Sequence, residues 1–106
     1  IYKFTEHDLD IMHIIQNNPD LNQRIIASKL GISLGKVNFC IQSLVDAGFI
    51  KLKNFNNSEN KIGYLYVLTP EGFSAKLSIT KKFLDRKKDE YEKLYNYIND
   101  EETNHI

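Results

Sequence analysis

The sequence predicts a mainly α-helical protein with one small β-hairpin and a long last helix. Three features indicate this: two helical stretches joined by a glycine turn over residues 22–47, two short segments rich in strand formers after them, and a helix start at Thr69–Gly72 that no breaker follows until about Asn99. In a chain of 106 residues we expect one domain over residues 1–69 and a long helix with a frayed tail over residues 70–106.

Composition argues against several classes of protein. Cys40 is the single cysteine, which excludes an internal disulfide and fits a reducing cytoplasm. The sequence has no recognisable signal peptide, no run of 18 apolar residues, and no zinc-type Cys/His spacing. It also has no nucleophile–base set or phosphate-binding loop, so we expect neither an enzyme nor a cofactor, a metal or a membrane partner.

The first helix should begin after Thr5, because Asp8 stands three residues on, as in a capping box. It should end near Asn17–Pro19, since proline disfavours the helical conformation in the residue before it. Its apolar side comprises Leu9, Ile11, Met12 and Ile15.

The next two helices are predicted to form a helix-turn-helix. Asn22 caps the first of them, and Gly31 suits the left-handed backbone that ends a helix. Ser33 then caps a helix over Leu34–Ala47. In this motif the second helix is held where it can enter a DNA major groove.

The two sides of that second helix separate by helical period. Val37, Ile41 and Leu44 share the core side. With Ser33 at its start, the opposite side provides the predicted DNA-binding residues Gly35, Lys36, Asn38, Phe39, Gln42 and Ser43, followed by Asp46.

These outward side chains suit contacts with DNA. Lys36 can reach phosphate or guanine, and Asn38 and Gln42 can pair with the donor and acceptor edge of adenine. Phe39 has two interpretations: an apolar contact to a thymine methyl or sugar, or burial under the hairpin or in a subunit interface.

The hairpin is predicted from Phe49–Phe55 and Gly63–Leu68, with a polar turn between them. A hairpin directly after a helix-turn-helix is the wing of a winged helix. Lys53, Asn57 and Lys61 are its candidate DNA contacts. The alternative is that the lysines only keep the hairpin soluble.

The last helix should begin with Thr69 as cap and Pro70 in the first turn, and end near Asn99. Such a helix of about 30 residues would be about 45 Å long, more than a small domain can cover. We therefore expect a homodimer interface on its apolar stripe. The stripe comprises Leu77, Leu84, Tyr91, Leu94 and Ile98. The alternative, that the stripe folds back on its own domain, is expected for Phe73 and Leu77 only.

The charge balance does not favour DNA strongly. The chain carries 14 basic and 14 acidic residues, whereas nucleic-acid-binding domains usually carry a basic excess. The mixed charges over residues 81–92 are typical of a solvated helix face with i, i+4 pairs rather than of a DNA contact.

Three segments together resemble a known family: ISLGKVNFCIQSL, KNFNNSENKIGYLYVLTPEG and KKFLDRKKDEYEKL. They are similar to the small MarR-type regulators called EPS-associated transcriptional regulators, bacterial proteins linked by genome position to exopolysaccharide loci. The resemblance covers residues 4–98 and implies a winged-helix DNA-binding regulator that dimerises through terminal helices. The larger MarR proteins have additional helices around an effector pocket, so the resemblance does not identify an effector here.

Two functions remain open from the sequence. The first is a sequence-specific regulator that binds a palindromic operator in double-stranded DNA as a dimer. The second is a winged-helix protein-interaction module without DNA binding, which the neutral charge and Phe39 favour.

Overall fold

The computed structural model describes residues 3–56 and 62–104. Its elements are α1 (Glu6–Asn17), α2 (Gln23–Leu30), α3 (Leu34–Asp46), β1 (Ile50–Asn56), β2 (Ile62–Leu68) and α4 (Pro70–Asn104). The predicted fold class is confirmed: three helices, a two-stranded hairpin and a long last helix. Asn57 and Lys61, two predicted wing contacts, lie outside the described residues.

The helix ends lie where the capping residues predict them. The Asp8 carboxylate accepts from the Thr5 backbone N–H at 2.7 Å and from its hydroxyl at 3.1 Å, and these bonds compensate the complete burial of Asp8. The Asn22 and Ser33 side chains accept from backbone N–H groups in the first turns of α2 and α3. Gly31 has φ of +66°, the left-handed conformation that ends α2.

One core lies between the three short helices and the base of the hairpin. It comprises Ile11, Met12, Ile15, Ile26, Ala27, Val37, Cys40, Ile41, Leu44, Ile50 and Leu68. The predicted inner side of α3 is therefore buried, while Leu9 of α1 is only partly buried. Full burial of one large aliphatic side chain contributes about 1.5–3 kcal/mol, so this cluster orients α3 against α1 and α2.

The hairpin is antiparallel, with Ile50 paired to Leu68 at its base and Leu52 paired to Tyr66 one step outward. Ile50 and Leu68 close the core, whereas Lys51 and Lys53 alternate with them and are exposed. The hairpin thus projects from the domain as a wing beside α3.

Thr69 joins three elements at one corner. Its hydroxyl donates to the Gly48 carbonyl and accepts from the Gly72 N–H, and its own N–H donates to the Phe49 carbonyl at 3.0 Å. Gly72 packs so closely here that an added Cβ would collide with the backbone of Phe49. The end of α3, the start of β1 and the start of α4 are therefore held together by the Thr69 hydroxyl and by the close approach of the Phe49 and Gly72 backbones.

The α4 helix contains 35 residues and reaches Asn104, beyond the end predicted near Asn99. That prediction was wrong because asparagine and aspartate only weakly disfavour helix when no glycine or proline follows. The Thr103 hydroxyl donates to the Asn99 carbonyl at 2.9 Å, inside the helix. At about 1.5 Å per residue α4 is about 52 Å long, consistent with a molecule that measures 73 × 26 × 24 Å.

Two sides of α4 have different surroundings. Gly72 is buried, Ala75, Ile79 and Phe83 are partly buried, and Ile79 packs against the core. Phe73 and Leu77, expected to fold back on the domain, remain 49% and 58% exposed. That expectation was wrong because at about 100° per residue these two side chains lie about a third of a turn from the covered side.

None of the helices in the described part of the chain is long and apolar enough to cross a membrane.

Candidate nucleic-acid interface

The outer side of α3 is a polar surface with one aromatic ring. Gly35, Lys36, Asn38, Phe39 and Gln42 are exposed, as is Ser33 at the helix start, while Ser43 is partly buried. The unpaired N–H groups of a helix N-terminus favour negative charge, and recognition helices contact bases mainly through their N-terminal residues. The first half of α3 therefore has the chemistry and exposure that a DNA contact requires.

Phe39 does not tuck under the wing, because it is 56% exposed. The Lys36 ammonium lies over its ring, 5.7 Å from the centroid, within the range of a cation–π contact. The interpretation that Phe39 is buried under the hairpin is therefore wrong. The two remaining interpretations are a contact to DNA and a contact to another protein chain.

Asn38 takes part in a hydrogen-bonded chain that links α3 to the wing. Its Nδ2 donates to Gln23 Oε1 at 3.3 Å, and Gln23 Nε2 donates to the Tyr66 hydroxyl at 3.2 Å. An asparagine amide has two N–H groups, so this contact leaves a second N–H and the oxygen for a base edge. Gln23 orients Asn38 while it bridges α2 and β2.

Sequence reasoning missed Gln23 and Tyr66. Gln23 is the first residue of α2, and Tyr66 lies on the core side of β2, so neither position suggests the groove. The one available signal was composition: an amide and a phenol at positions that could otherwise be apolar.

The second half of α3 is less suited to DNA. Gln42 Nε2 donates to the Asp46 carboxylate at 2.9 Å, and the Ser43 hydroxyl donates to the Phe39 carbonyl at 3.0 Å. Asp46 would repel phosphate. Because it lies ten residues after Lys36, it stands about 15 Å further along the helix and away from the N-terminal end.

Exposed basic side chains occur on α2 and β1, the elements that precede and follow α3 in the chain. Arg24 and Lys29 of α2 are exposed, and α2 contains no acidic residue. Lys51 and Lys53 are exposed on one side of β1. The acids of α1 include the buried Asp8 and Glu6, which is paired with Lys87 of α4 at 2.9 Å. A locally basic surface is therefore compatible with a neutral chain.

Comparisons with known proteins agree with this geometry. A family model described as winged helix-turn-helix DNA-binding matches residues 4–51. No curated protein sequence matches the chain.

Several solved structures share the fold. The protein smu.1704 of Streptococcus mutans UA159 aligns with a TM-score of 0.63 and 16% identity, over 76% of this chain and 78% of its own. ZitR of Lactococcus lactis, determined as a point mutant, aligns with a TM-score of 0.61 and 20% identity, over 89% of this chain and 62% of its own. FabT of Streptococcus pneumoniae, determined in complex with DNA, aligns with a TM-score of 0.55 and 17% identity, over 83% of this chain and 59% of its own. The chain thus spans about three fifths of ZitR and FabT, and it has the winged helix-turn-helix fold.

Proposed function

We propose that this protein is a sequence-specific DNA-binding transcriptional regulator of the MarR type. The observation that carries the proposal is the N-terminal half of α3, where Lys36 and Asn38 stand exposed beside a wing that presents Lys53. The match to a winged helix-turn-helix DNA-binding model over residues 4–51 supports it. A likeness to FabT, whose structure contains DNA, agrees with it.

In this proposal the protein binds a palindromic operator as a homodimer. The dimer is supported by the exposed stripe of α4, in which Leu84, Tyr91, Leu94 and Ile98 are each more than half exposed. Two-fold symmetry in the protein is matched by two-fold symmetry in the site that it reads. Residues 1–69 would then contact DNA in the bacterial cytoplasm, and residues 70–106 would join the two copies.

The polysaccharide-gene target is proposed from the resemblance of three sequence segments to EPS-associated regulators. The test is a footprint of the purified protein on the DNA upstream of its own operon, followed by affinity measurements on the protected site and on a scrambled site of equal length. We expect the protected site to bind at least about 1,000-fold more tightly, the lower end of the usual ratio. Equal affinities would refute sequence-specific recognition.

A protein-interaction function is the second candidate, favoured by the exposed Phe39 and by Asp46 on the same helix. Elution from heparin or DNA-cellulose in a salt gradient separates the two. A DNA-binding protein is retained and eluted by salt because it releases counterions from phosphate. Flow-through at low salt would favour the interaction module.

A further inference from the structure

The charge of α4 is divided between its two halves. Residues 70–88 contain six basic residues and two acidic ones, whereas residues 89–104 contain one basic residue and six acidic ones. The basic half is joined to the domain, and the acidic half extends away from it. Because the apolar stripe runs through both halves, any partner that covers the stripe also meets both charges.

The exposed stripe continues onto the domain at its basic end. A groove of about 510 Å³ lies between α1 and α4, and its lining includes Leu9, His13, Phe73 and Leu77. Lys76 forms one edge of the groove, where its ammonium contacts His13 and Gln16 of α1. Asp10 also lines this groove and offsets the charge of Lys76, so an occupant that suits it presents chiefly apolar side chains, as the last turns of α4 do with Leu94 and Ile98.

We infer that two copies of α4 pair antiparallel, with Leu77 opposite Ile98 and Leu84 opposite Tyr91 of the other copy. This inference rests on the homodimer of the proposed function and adds the direction and register of its helices. A parallel pair would place basic half against basic half and acidic half against acidic half. The antiparallel pair places each basic half against an acidic one, and opposite charges attract across the seam.

The register aligns charges at both edges of the stripe. Lys76 comes within a helical turn of Glu101 of the other copy, and Lys81 comes within a turn of Glu92 of the other copy. The end of the other α4, with Ile98 and Glu101, then covers the groove between α1 and α4.

Lys87 and Lys88 meet near the two-fold axis in this register, and the structure shows how one of these charges is compensated. The Lys87 ammonium contacts the Glu6 carboxylate of its own chain at 2.9 Å. This hydrogen bond and the charge of Glu6 raise the pKa of Lys87. The ammonium is therefore directed toward α1 rather than toward the seam.

The test uses cysteine cross-linking. Leu77→Cys and Ile98→Cys are prepared as separate full-length proteins, oxidised alone and as an equimolar mixture, and compared with the wild type, whose single Cys40 is buried. In the antiparallel pair, copies of the same position lie about 31 Å apart along the axis. A disulfide requires Cα atoms about 4–7 Å apart. We expect cross-linked dimer in the mixture and none from either protein alone.

The possible outcomes separate this inference from the function. Cross-linking of each protein with itself shows a parallel pair and overturns the inference while the dimer stands. A dimer that cross-links in none of the three samples overturns the register. A monomer by sedimentation refutes both the dimer and the inference. Cross-linking in the mixture only supports the inference. If the same protein does not distinguish its operator from scrambled DNA, the proposed function is refuted while the inference stands.

A charge reversal provides an independent measurement. Lys81→Glu should weaken the dimer because it then faces Glu92 of the other copy, and Lys81→Glu with Glu92→Lys should restore wild-type dimer affinity. Failure of the second change to restore the affinity contradicts the antiparallel contact.

Discussion

The amide of Asn38 shows how a residue outside α3 can hold in place a side chain that is proposed to contact DNA. Gln23 holds one Asn38 N–H from α2 and is itself bonded to Tyr66 of the wing. If Asn38 contacts DNA as proposed, fixing its side chain beforehand reduces the conformational entropy that binding must otherwise remove. The predicted base-reading residue therefore acts together with two residues that the sequence pattern did not single out.

Asn38→Ala and Gln42→Ala test base reading. If either residue forms a bidentate contact with adenine, its loss costs about 1–3 kcal/mol on the operator, while binding to random DNA remains nearly unchanged. Fluorescence anisotropy on both DNA duplexes measures this difference. Equal losses on operator and random DNA would show that these amides do not read bases.

Lys53→Ala tests the wing. Loss of one phosphate contact should weaken binding on every sequence and make the slope of log affinity against log salt shallower by about one ion. Lys61→Ala carries the same expectation. Lys93→Ala on the distal part of α4 is the matched control, since it removes an equal charge far from α3 and should leave the slope unchanged. A Lys53→Ala slope equal to that of the control would remove this residue from the interface.

At the scale of elements, the contact between α4 and the start of β1 depends on a missing side chain. Gly72→Ala places a methyl group against the Phe49 carbonyl, and such overpacking costs about 1–3 kcal/mol. Gly35→Ala is the matched control: its Cβ meets nothing within 4 Å, and alanine is favoured over glycine in a helix by up to about 1 kcal/mol. Urea denaturation should show a lower free energy of unfolding for Gly72→Ala and no decrease for Gly35→Ala. Equal stabilities would mean that α4 can shift away from Phe49 at no cost.

The elements were predictable because their signals are local. Thr5, Asn22, Ser33 and Thr69 each accept from nearby backbone N–H groups or take part in a cap, and Gly31 has the backbone that its position predicts. Each signal involves residues within a few positions of one another, so it can be read without the fold.

The predictions from sequence that failed are those whose outcome depends on residues far apart in the chain. Whether Phe73 and Leu77 are covered depends on the rotation of α4 against the domain, which Ile79 and the Phe49–Gly72 contact determine. The Gln23–Asn38 and Gln23–Tyr66 contacts join residues 15 and 43 positions apart. Periodicity within one helix contains no information about such partners. The predicted DNA-binding and dimer residues, and the division into residues 1–69 and 70–106, remain predictions.

At the scale of the whole molecule, the apolar stripe of α4 predicts that tight DNA binding requires two copies. Leu84→Glu with Tyr91→Glu places charges in the stripe, and we expect a monomer by sedimentation and operator binding weakened by at least about 10-fold. The free-energy basis is the burial of large apolar side chains, about 1.5–3 kcal/mol for each.

Asn96→Glu with Thr103→Glu is the matched control. It adds the same charge at exposed positions that lie five residues after Tyr91 and Ile98, on the side of α4 away from the stripe, and should leave a dimer that binds DNA normally. The interface assignment fails if the stripe variant remains dimeric, or if the control dissociates as readily.

The corner at Thr69 makes α4 a lever that pivots beside the end of α3, the proposed recognition helix. The arm is about 52 Å long, so a tilt of about 10° at Gly72 moves the far end by about 9 Å. In the proposed dimer the two arms are fixed to each other, and the same tilt changes the distance between the two recognition helices instead. In the proposed dimer, the spacing of the half-sites therefore depends on the contacts of Thr69 and Gly72, which do not touch a base. Residues that determine which operator sequence is bound and residues that determine the half-site spacing could therefore change independently.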